Sequence, residues 1–290
     1  MIPQAFAYLA PQTLPEAISL LQQHGYDAKI LSGGHSLIPM MKLRLATPAY
    51  LVDINGIPGL DAISESDGYL RIGALTREVA LEDSDRIRLH YRIIYETARM
   101  IADPQVRNLA TVGGNLAHGD PGNDHPATML ALGARVVATG PEGERIIPVE
   151  DFFVDFFVTA LAPDEILTEI QVPTPPPGSA GAYLKLERKV GDYATAGVAA
   201  QVTLDAQGVC QQAGIGLTNV GPVPIKARAA EAHLRGRAPD EDAIREAARL
   251  AAEASEPGSD LRGSEAYKRA MVKELTQRAL RLAVERARGG

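Results

Sequence analysis

Two pairs of adjacent glycines stand among hydroxyl and amide side chains, in "SGGHS" at residues 32–36 and in "TVGGN" at residues 111–115. Glycine adopts positive φ without steric cost, so the backbone at such a bend approaches a ligand closely and successive N–H groups converge on an anion. Neutral donors of this kind suit the diphosphate of a partly buried dinucleotide. The two bends are therefore candidates for one binding site, and the alternative is that each pair only forms a tight turn.

The familiar nucleotide motifs do not occur in this sequence. It contains no G-x-x-x-x-G-K-[ST] pattern, and "GIGLTN" at residues 214–219 lacks the third glycine of G-x-G-x-x-G. The absence of both patterns argues against a P-loop or a Rossmann dinucleotide site.

Other polar residues offer weaker candidates. "HGDPGNDH" at residues 118–125 contains four side chains that could bind a metal, but its proline and glycines predict a loop in which Asp and Asn satisfy local backbone donors, so no metal is expected. Arg107 could reach a phosphate or only pair with an acid. No Ser-His-Asp or paired-carboxylate arrangement can be argued from spacing, so the chemistry is expected to be a cofactor's.

Composition excludes several classes of protein. The 290 residues carry a formal net charge of −7, which argues against nucleic acid as a partner. A single cysteine cannot hold an internal disulfide or an iron–sulfur cluster, and it fits a cytoplasmic protein. The start of the chain does not resemble a signal peptide, and the most apolar stretch, at residues 151–162, is shorter than the roughly 18 to 20 residues that a membrane span needs.

The first half of the chain alternates helices with strands. Thr13 and Glu16 form a capping-box pattern that predicts a helix ending at Gly25. Strands are predicted over residues 28–31, 49–54 and 69–73, so the first glycine pair follows a strand. Apolar residues at helical spacing predict one helix over residues 86–102, ended by Asp103-Pro104.

The second half predicts strands, a proline-rich boundary and then helices. Residues 125–134 predict a short helix, 135–149 a hairpin and 165–173 a strand. Four prolines and two glycines at residues 172–181 indicate a domain boundary. Three antiparallel strands and three helices are expected beyond it, the helices over residues 225–236, 240–255 and from Ser264 to about Arg286. The fold class is α+β.

Three segments together resemble a known family. "SGGHSLIP", "DPQVRNLATVGGNLAHGDPGNDHP" and "KLERKVGDYATAGVA", in this order and spacing, are similar to the FAD-binding medium subunit of molybdenum hydroxylases, the xanthine dehydrogenase family, and most of all to its carbon monoxide dehydrogenase group. The resemblance implies a two-part FAD-binding domain of the vanillyl-alcohol-oxidase (PCMH) type over residues 1–177. It also implies a small antiparallel sheet with helices over residues 178–290, the flavoprotein C-terminal domain.

The resemblance also implies which residues contact FAD. Both glycine motifs would surround the diphosphate, an acidic residue nine places after the second motif would contact the cofactor, and further positions would lie near the flavin. The implied residues are Ser32, Gly33, Gly34, His35, Ser36, Leu37, Ile101, Ala102, Thr111, Val112, Gly113, Gly114, Asn115, Asp124, Leu167, Lys185 and Tyr193.

Three of these residues have a second interpretation. His35 contacts the cofactor or only caps its own bend. Tyr193 covers one face of the flavin or belongs to the core, and its place at a strand start favours a half-exposed ring. Lys185 contacts the cofactor or belongs to a solvated strand face.

The implied function is electron transfer through FAD, from an iron–sulfur (2Fe-2S) small subunit to an external acceptor, with the substrate oxidised in a molybdenum-cofactor large subunit. The resemblance suggests a dimer of heterotrimers. One rival is a free-standing flavin oxidoreductase of the same fold, which would need its own acid or base near the flavin. The other is an anion-binding assembly module without enzymatic activity, which would not retain a flavin.

Overall fold

The computed structural model describes residues 1–289 and begins with a small parallel sheet. Its strands are β1 (Ala7–Leu9), β2 (Ala28–Leu31) and β3 (Tyr50–Asp53), in the order β1-β3-β2. Helix α1 (Leu14–His24) crosses from β1 to β2, and helix α2 (Leu37–Leu43) follows the first glycine bend.

Helix α1 begins with the predicted capping box. The Glu16 amide donates to the Thr13 hydroxyl at 3.3 Å, and the Gln12 amide donates to the Glu16 carboxylate at 2.9 Å. The helix ends at Gly25, as predicted.

A five-stranded antiparallel sheet forms the middle of the molecule. Its strands stand in the order β4-β5-β10-β6-β7, and a separate hairpin, β8 with β9, follows β7 along the chain. The predicted hairpin and the predicted strands at 69–73 and 165–173 are all present. The bounds are β4 (Ile63–Ser66), β5 (Tyr69–Gly73), β6 (Arg135–Gly140), β7 (Gly143–Pro148), β8 (Phe153–Asp155), β9 (Val158–Thr159) and β10 (Ile166–Pro173).

Short helices connect β5 to β6 and cover this sheet. The prediction of one helix over residues 86–102 is wrong, because the helix is interrupted at Tyr91. The side chain of Tyr91 is buried, and its hydroxyl donates a hydrogen bond to the Glu65 carboxylate at 2.9 Å. Asp103 begins a further helix by accepting from the Val106 amide at 3.0 Å. The bounds are α3 (Glu78–Asp83), α4 (Asp85–His90), α5 (Arg92–Met100), α6 (Pro104–Arg107), α7 (Val112–Ala117), α8 (Asp124–Ala131) and, after β7, α9 (Val149–Phe152).

The C-terminal part is an antiparallel sheet packed against helices. It has four strands rather than the three predicted, because residues 225–226, expected to begin a helix, pair with β13 instead. The bounds are β11 (Ser179–Leu186), β12 (Ala196–Leu204), β13 (Cys210–Thr218), β14 (Ile225–Lys226), α10 (Arg228–Leu234), α11 (Glu241–Ala254) and α12 (Glu265–Ala287). The α+β fold class is confirmed.

Two glycines of "GIGLTN" allow helix α8 to lie directly on strand β13. A Cβ added to Gly214 would stand 1.8 Å from the Ala131 carbonyl oxygen, and one added to Gly216 would stand 2.0 Å from that of Ala127. The glycines of this incomplete nucleotide motif therefore serve packing. The contact also brings the start of α8 beside β11, where the candidate site lies.

Among residues 1–289, no helix is both long and apolar enough to cross a bilayer.

Candidate functional site

A cavity of about 960 Å³ lies between the N-terminal parallel sheet, the middle sheet and the edge of the C-terminal sheet. This volume is near the upper end of the roughly 300 to 1,000 Å³ usual for ligand sites and suits a ligand the size of a dinucleotide. All the residues that the family resemblance implies as FAD contacts line this cavity except Val112. Val112 is fully buried, and its amide donates to the Thr76 carbonyl at 3.0 Å.

The first glycine bend leaves its backbone donors free. Strand β2 ends at Leu31, Gly34 takes a φ of +73°, and α2 begins at Leu37. Within residues 1–289, the amides of the four residues at 33–36 donate to no backbone or side-chain acceptor. Four successive backbone N–H groups of residues on the cavity wall are therefore available to an anion such as a diphosphate.

The His35 ring contacts its own bend. Its Nδ1 lies 2.8 Å from the Gly33 carbonyl oxygen, which can only accept, so Nδ1 carries the proton. The interpretation that His35 caps the bend is therefore correct, and in the neutral ring Nε2 is left as an acceptor. The ring also lines the cavity.

The second glycine bend differs from the expectation. It does not follow a strand: Gly113 and Gly114 lie in the first turn of helix α7, with Thr111 as the N-cap residue. The Gly113 amide donates to the Ala74 carbonyl at 2.9 Å and the Gly114 amide to the Thr111 hydroxyl at 3.1 Å. Free main-chain donors are therefore concentrated in the first bend. The second bend contributes hydroxyl and amide side chains, and its glycines allow the two bends to pack closely.

The two bends touch each other, although one follows strand β2, the other begins helix α7, and they are 79 residues apart. The Ser32 and Thr111 hydroxyl oxygens are 3.1 Å apart, within hydrogen-bond distance. A Cβ added to Gly33 would stand 2.5 Å from the Leu109 carbonyl oxygen, so only glycine fits there. The two bends therefore lie side by side on the wall of one cavity.

Asn115 lines the cavity and carries an unused acceptor beneath its surface. Its side-chain Oδ1 is buried and has no hydrogen-bond partner among the described residues, while its backbone carbonyl accepts from the Asn123 side chain at 2.7 Å. A buried polar atom without a partner is costly unless a ligand or water completes it. This atom therefore fits a ligand that donates a hydrogen bond, such as a ribityl or ribose hydroxyl.

A buried charged cluster also lines the cavity. The Lys185 ammonium donates to Asp124 at 3.0 Å and to the Met100 carbonyl at 2.9 Å, and the Tyr183 hydroxyl also donates to Asp124. The side chain of Lys185 is 1% exposed, so the solvated-face interpretation is wrong. Burial raises the pKa of Asp124, while the charge of Lys185 opposes that shift.

Tyr193 lies in a loop that packs against Ala102 in the wall of the cavity. Its ring is 47% exposed, as predicted for a strand start, and it lines the cavity. The preceding Gly191 has a φ of +81°, and an added Cβ there would stand 2.4 Å from the Ala102 carbonyl oxygen. Ile101 and Leu167 are buried and also line the cavity.

Two arginines hold the Tyr193 loop through Asp192. Arg262 donates to Asp192 at 3.1 Å and Arg188 donates to it at 2.9 Å, and together they lower its pKa to about 2. Because the folded-state pKa is depressed, the stabilisation is fully present above the ordinary pKa and is lost as the pH falls toward about 2.

The Asp192→Asn variant should loosen this loop without unfolding the protein. We expect tryptic cleavage at the exposed Arg188 and Lys189 to become about threefold faster, because the loop loses both ion pairs of a largely buried carboxylate and opens more often. Asp242→Asn, which breaks an exposed pair with Arg245, is the matched control. Equal cleavage rates in the two variants would show that Asp192 does not restrain the loop.

The remaining polar candidates are used structurally. Arg107 pairs with Glu82 at 2.8 Å and does not line the cavity, so the acid-pairing interpretation is correct. In the loop at 118–125, Asp120 accepts from the Gly122 amide at 2.8 Å and His125 pairs with the buried Glu78 at 2.6 Å. No cluster that could hold a metal occurs among residues 1–289.

Sequence reasoning missed Asn55, Arg77 and Glu78, which support the site from outside the cavity. Asn55 and Arg77 form hydrogen bonds to the segments that carry the two bends, and Glu78 anchors His125 next to Asp124. No motif marks these residues, since each acts through a partner more than 20 positions away.

The donor set fits a dinucleotide flavin. Four free amides suit a diphosphate, the orphan Asn115 oxygen suits a hydroxyl, and an ammonium, a carboxyl group and an aromatic ring line the same cavity. All of these groups belong to residues of this chain.

Comparison with known proteins adds independent findings. The family model described as FAD binding domain in molybdopterin dehydrogenase matches residues 4–175, and the CO dehydrogenase flavoprotein C-terminal domain matches residues 181–283. The carbon monoxide dehydrogenase medium chain of Afipia carboxidovorans is 46% identical over 288 residues, covering 99% of this chain and 100% of that one.

Two further matches extend over almost the whole chain. The 6-hydroxypseudooxynicotine dehydrogenase complex subunit alpha of Paenarthrobacter nicotinovorans is 40% identical, covering 99% of this chain and 97% of that one. A solved structure of carbon monoxide dehydrogenase from Hydrogenophaga pseudoflava, lacking the Mo-pyranopterin moiety of the molybdenum cofactor, matches with a TM-score of 0.96 and 47% identity over 99% of both chains.

Proposed function

The chain belongs to the family of FAD-binding subunits of molybdopterin dehydrogenases, and on that premise we propose that its cavity holds FAD with the diphosphate on the first glycine bend. It is the FAD-binding electron-transfer subunit of a molybdenum-containing oxidoreductase. The observation that carries the proposed placement is the run of four unpaired amides at residues 33–36 on the cavity wall.

Each side chain then has a defined role. Asn115 accepts from the sugar-like part of the cofactor, and Ser32 and Thr111 close the diphosphate site. Asp124, Lys185 and Tyr193 line the cavity; Asp124 and Lys185 would stand beside the flavin ring, and Tyr193 would cover one of its faces. Ile101, Ala102 and Leu167 would exclude water around the ring.

When bound, FAD supplies the exchange of electrons one or two at a time, and the protein supplies binding, orientation and the surrounding charges. Here the chain places one ammonium, the carboxyl groups of Asp124 and Glu187 and one phenol in a largely buried cluster that would lie near the ring. The balance of charge in that cluster sets the environment in which the ring is reduced.

Partners are required because the chain's single cysteine cannot bind an iron–sulfur cluster. We infer a small subunit with 2Fe-2S clusters as electron donor and a large subunit with the molybdenum cofactor as the place of substrate oxidation. A dimer of heterotrimers in the cytoplasm is the proposed assembly, and the buried, unpaired Cys210 agrees with a reducing compartment.

The two proposed domains, residues 1–177 and 178–290, both contribute to the site. The turn between β10 and β11 separates them. Lys185 and Tyr193 come from the second, so we expect FAD to hold the two together.

Carbon monoxide is the proposed substrate of the whole enzyme. The carbon monoxide dehydrogenase medium chain is more similar to this chain than the 6-hydroxypseudooxynicotine dehydrogenase subunit is. The substrate does not contact this chain in the proposed assembly, so the choice rests on that similarity.

Reconstitution tests this function against a free-standing flavin oxidoreductase. The chain should be assembled with its iron–sulfur and molybdenum subunits, and carbon monoxide oxidation with an artificial acceptor should be followed with and without each subunit. We expect flavin reduction by substrate only when all three are present. Flavin reduction by a substrate with this chain alone would favour the free-standing enzyme.

A further inference from the structure

Asn55 and Arg77 form a bridge between the segments that carry the two glycine bends. The Asn55 side-chain amide donates to the Ser32 carbonyl at 2.9 Å, immediately before the free amides of the first bend. The Arg77 guanidinium donates to the Asn55 side-chain oxygen at 2.7 Å and also to the Leu109 carbonyl, two residues before Thr111. One planar cation thus reaches both segments.

Asp53 and Tyr8 hold Asn55 in place on the side away from the two bends. Asp53 accepts from both the backbone amide and the side-chain amide of Asn55, at 2.9 and 2.6 Å, so the Asn55 side chain is fixed in one orientation. The Tyr8 hydroxyl donates to the other oxygen of Asp53. Arg77 also lies between Thr76 and Glu78, whose backbones pair with the loop at 110–112.

Neither Asn55 nor Arg77 lines the cavity, so their contribution is to the placement of other groups. The Leu109 carbonyl that Arg77 holds is the atom against which Gly33 packs. A shift of this carbonyl would move the first bend, and its four amides, relative to Thr111 and Gly114. A binding site built from donors in fixed positions loses affinity when its supports are removed.

We propose that Asn55 and Arg77 are positioning residues for the diphosphate site, which set the spacing of the two bends and so decide how tightly a diphosphate-containing flavin is held. The inference rests on the proposed placement of FAD in this cavity. It assigns a role to two residues that do not touch the cofactor.

The test compares a flavin with a diphosphate to one without. Arg77→Met and Asn55→Ala should be made in the full chain and assembled with its partner subunits, and the complex should be depleted of FAD. FAD and riboflavin are then titrated. We expect the Kd for FAD to rise by about tenfold in each variant, the size of one charge-assisted hydrogen bond, and that for riboflavin to change by less than about twofold.

Two further variants sharpen the comparison. In the double variant, the loss of FAD affinity should be smaller than the product of the single losses, because the two residues act through one shared hydrogen bond. Arg71→Met is the matched control, because Arg71 pairs with Asp67 and Glu169 on the middle sheet and reaches neither bend. Both flavins should bind this control as they bind the wild type.

The outcomes separate this inference from the proposed function. An unchanged Kd for FAD in both variants, or an equal loss for FAD and riboflavin, would overturn the positioning role. If Arg77→Met does not fold, Asn55→Ala tests the positioning role alone, because Asn55 is exposed and the same rise in the Kd for FAD is expected. If the wild-type complex binds no FAD, or keeps it after Gly114 is replaced, the site assignment itself is wrong.

Discussion

The Gly114→Val variant is expected to lose FAD while keeping its fold. A Cβ at this position would stand 2.6 Å from the Thr111 hydroxyl oxygen and 2.8 Å from that of Ser32, and valine adds two methyl groups beyond it. The contact between the two bends must open to make room. Overpacking of this kind costs about 1 to 3 kcal/mol, which corresponds to a loss of about fivefold to a little over a hundredfold in affinity if it falls on the FAD-bound state.

The measurement is the ratio of flavin to protein in the purified complex, together with the FAD dissociation constant. Gly258→Val is the matched control, because an added Cβ there has no neighbour within 4 Å and the backbone does not have positive φ. The control should retain FAD fully. A Gly114→Val complex with the flavin content of the wild type would contradict the assigned site.

The Lys185→Met variant should have the largest effect on stability. Lys185 and Asp124 form a pair whose side chains are 1% and 7% exposed. Removing the ammonium leaves a buried carboxylate without its charge partner, and breaking one side of such a pair costs about 3 to 5 kcal/mol. We expect the free energy of unfolding, measured with urea on the full chain, to fall by about this amount.

Two other variants identify the cause of that loss. Asp124→Asn combined with Lys185→Met removes both charges of this pair and should recover part of the stability, because the Glu187 carboxylate, 3.5 Å from the Lys185 ammonium, still loses its partner. Lys226→Met breaks the more exposed pair with Glu150 and should cost at most about 1 kcal/mol. Equal losses for Lys185→Met and Lys226→Met would mean that the buried pair has no special weight.

The sequence predicted the elements whose signals are local. The capping box at Thr13, the strand at 69–73 and the hairpin through residues 141–142 depend on neighbours along the chain, and each is present. Short elements such as β1 and α2 were missed because three to seven residues carry too little periodicity to be recognised.

Other differences come from tertiary contacts. The helix break at Tyr91 accompanies a hydrogen bond to Glu65, and the burial of Lys185 depends on Asp124 of α8. An alternating strand pattern indicates two faces but not what covers them, so it could not distinguish a solvated lysine from a buried one.

The site was predicted in part by pattern and in part by resemblance. The first bend needed only the physics of glycine and free amides, and its position on the cavity agrees with that reasoning. Free backbone amides were also predicted for the second bend. Its glycine amides instead form hydrogen bonds within the protein, and its polar side chains line the cavity. Asn55 and Arg77 were missed because no sequence signal records a partner in a distant segment.

The central claim is that the free amides of the first bend hold the diphosphate of FAD. A crystal structure of the FAD-loaded complex tests it most directly. We predict phosphate oxygens about 2.7 to 3.2 Å from the backbone nitrogens of at least two of the residues at 33–36. A diphosphate bound elsewhere, with those four amides turned to solvent, would contradict the account.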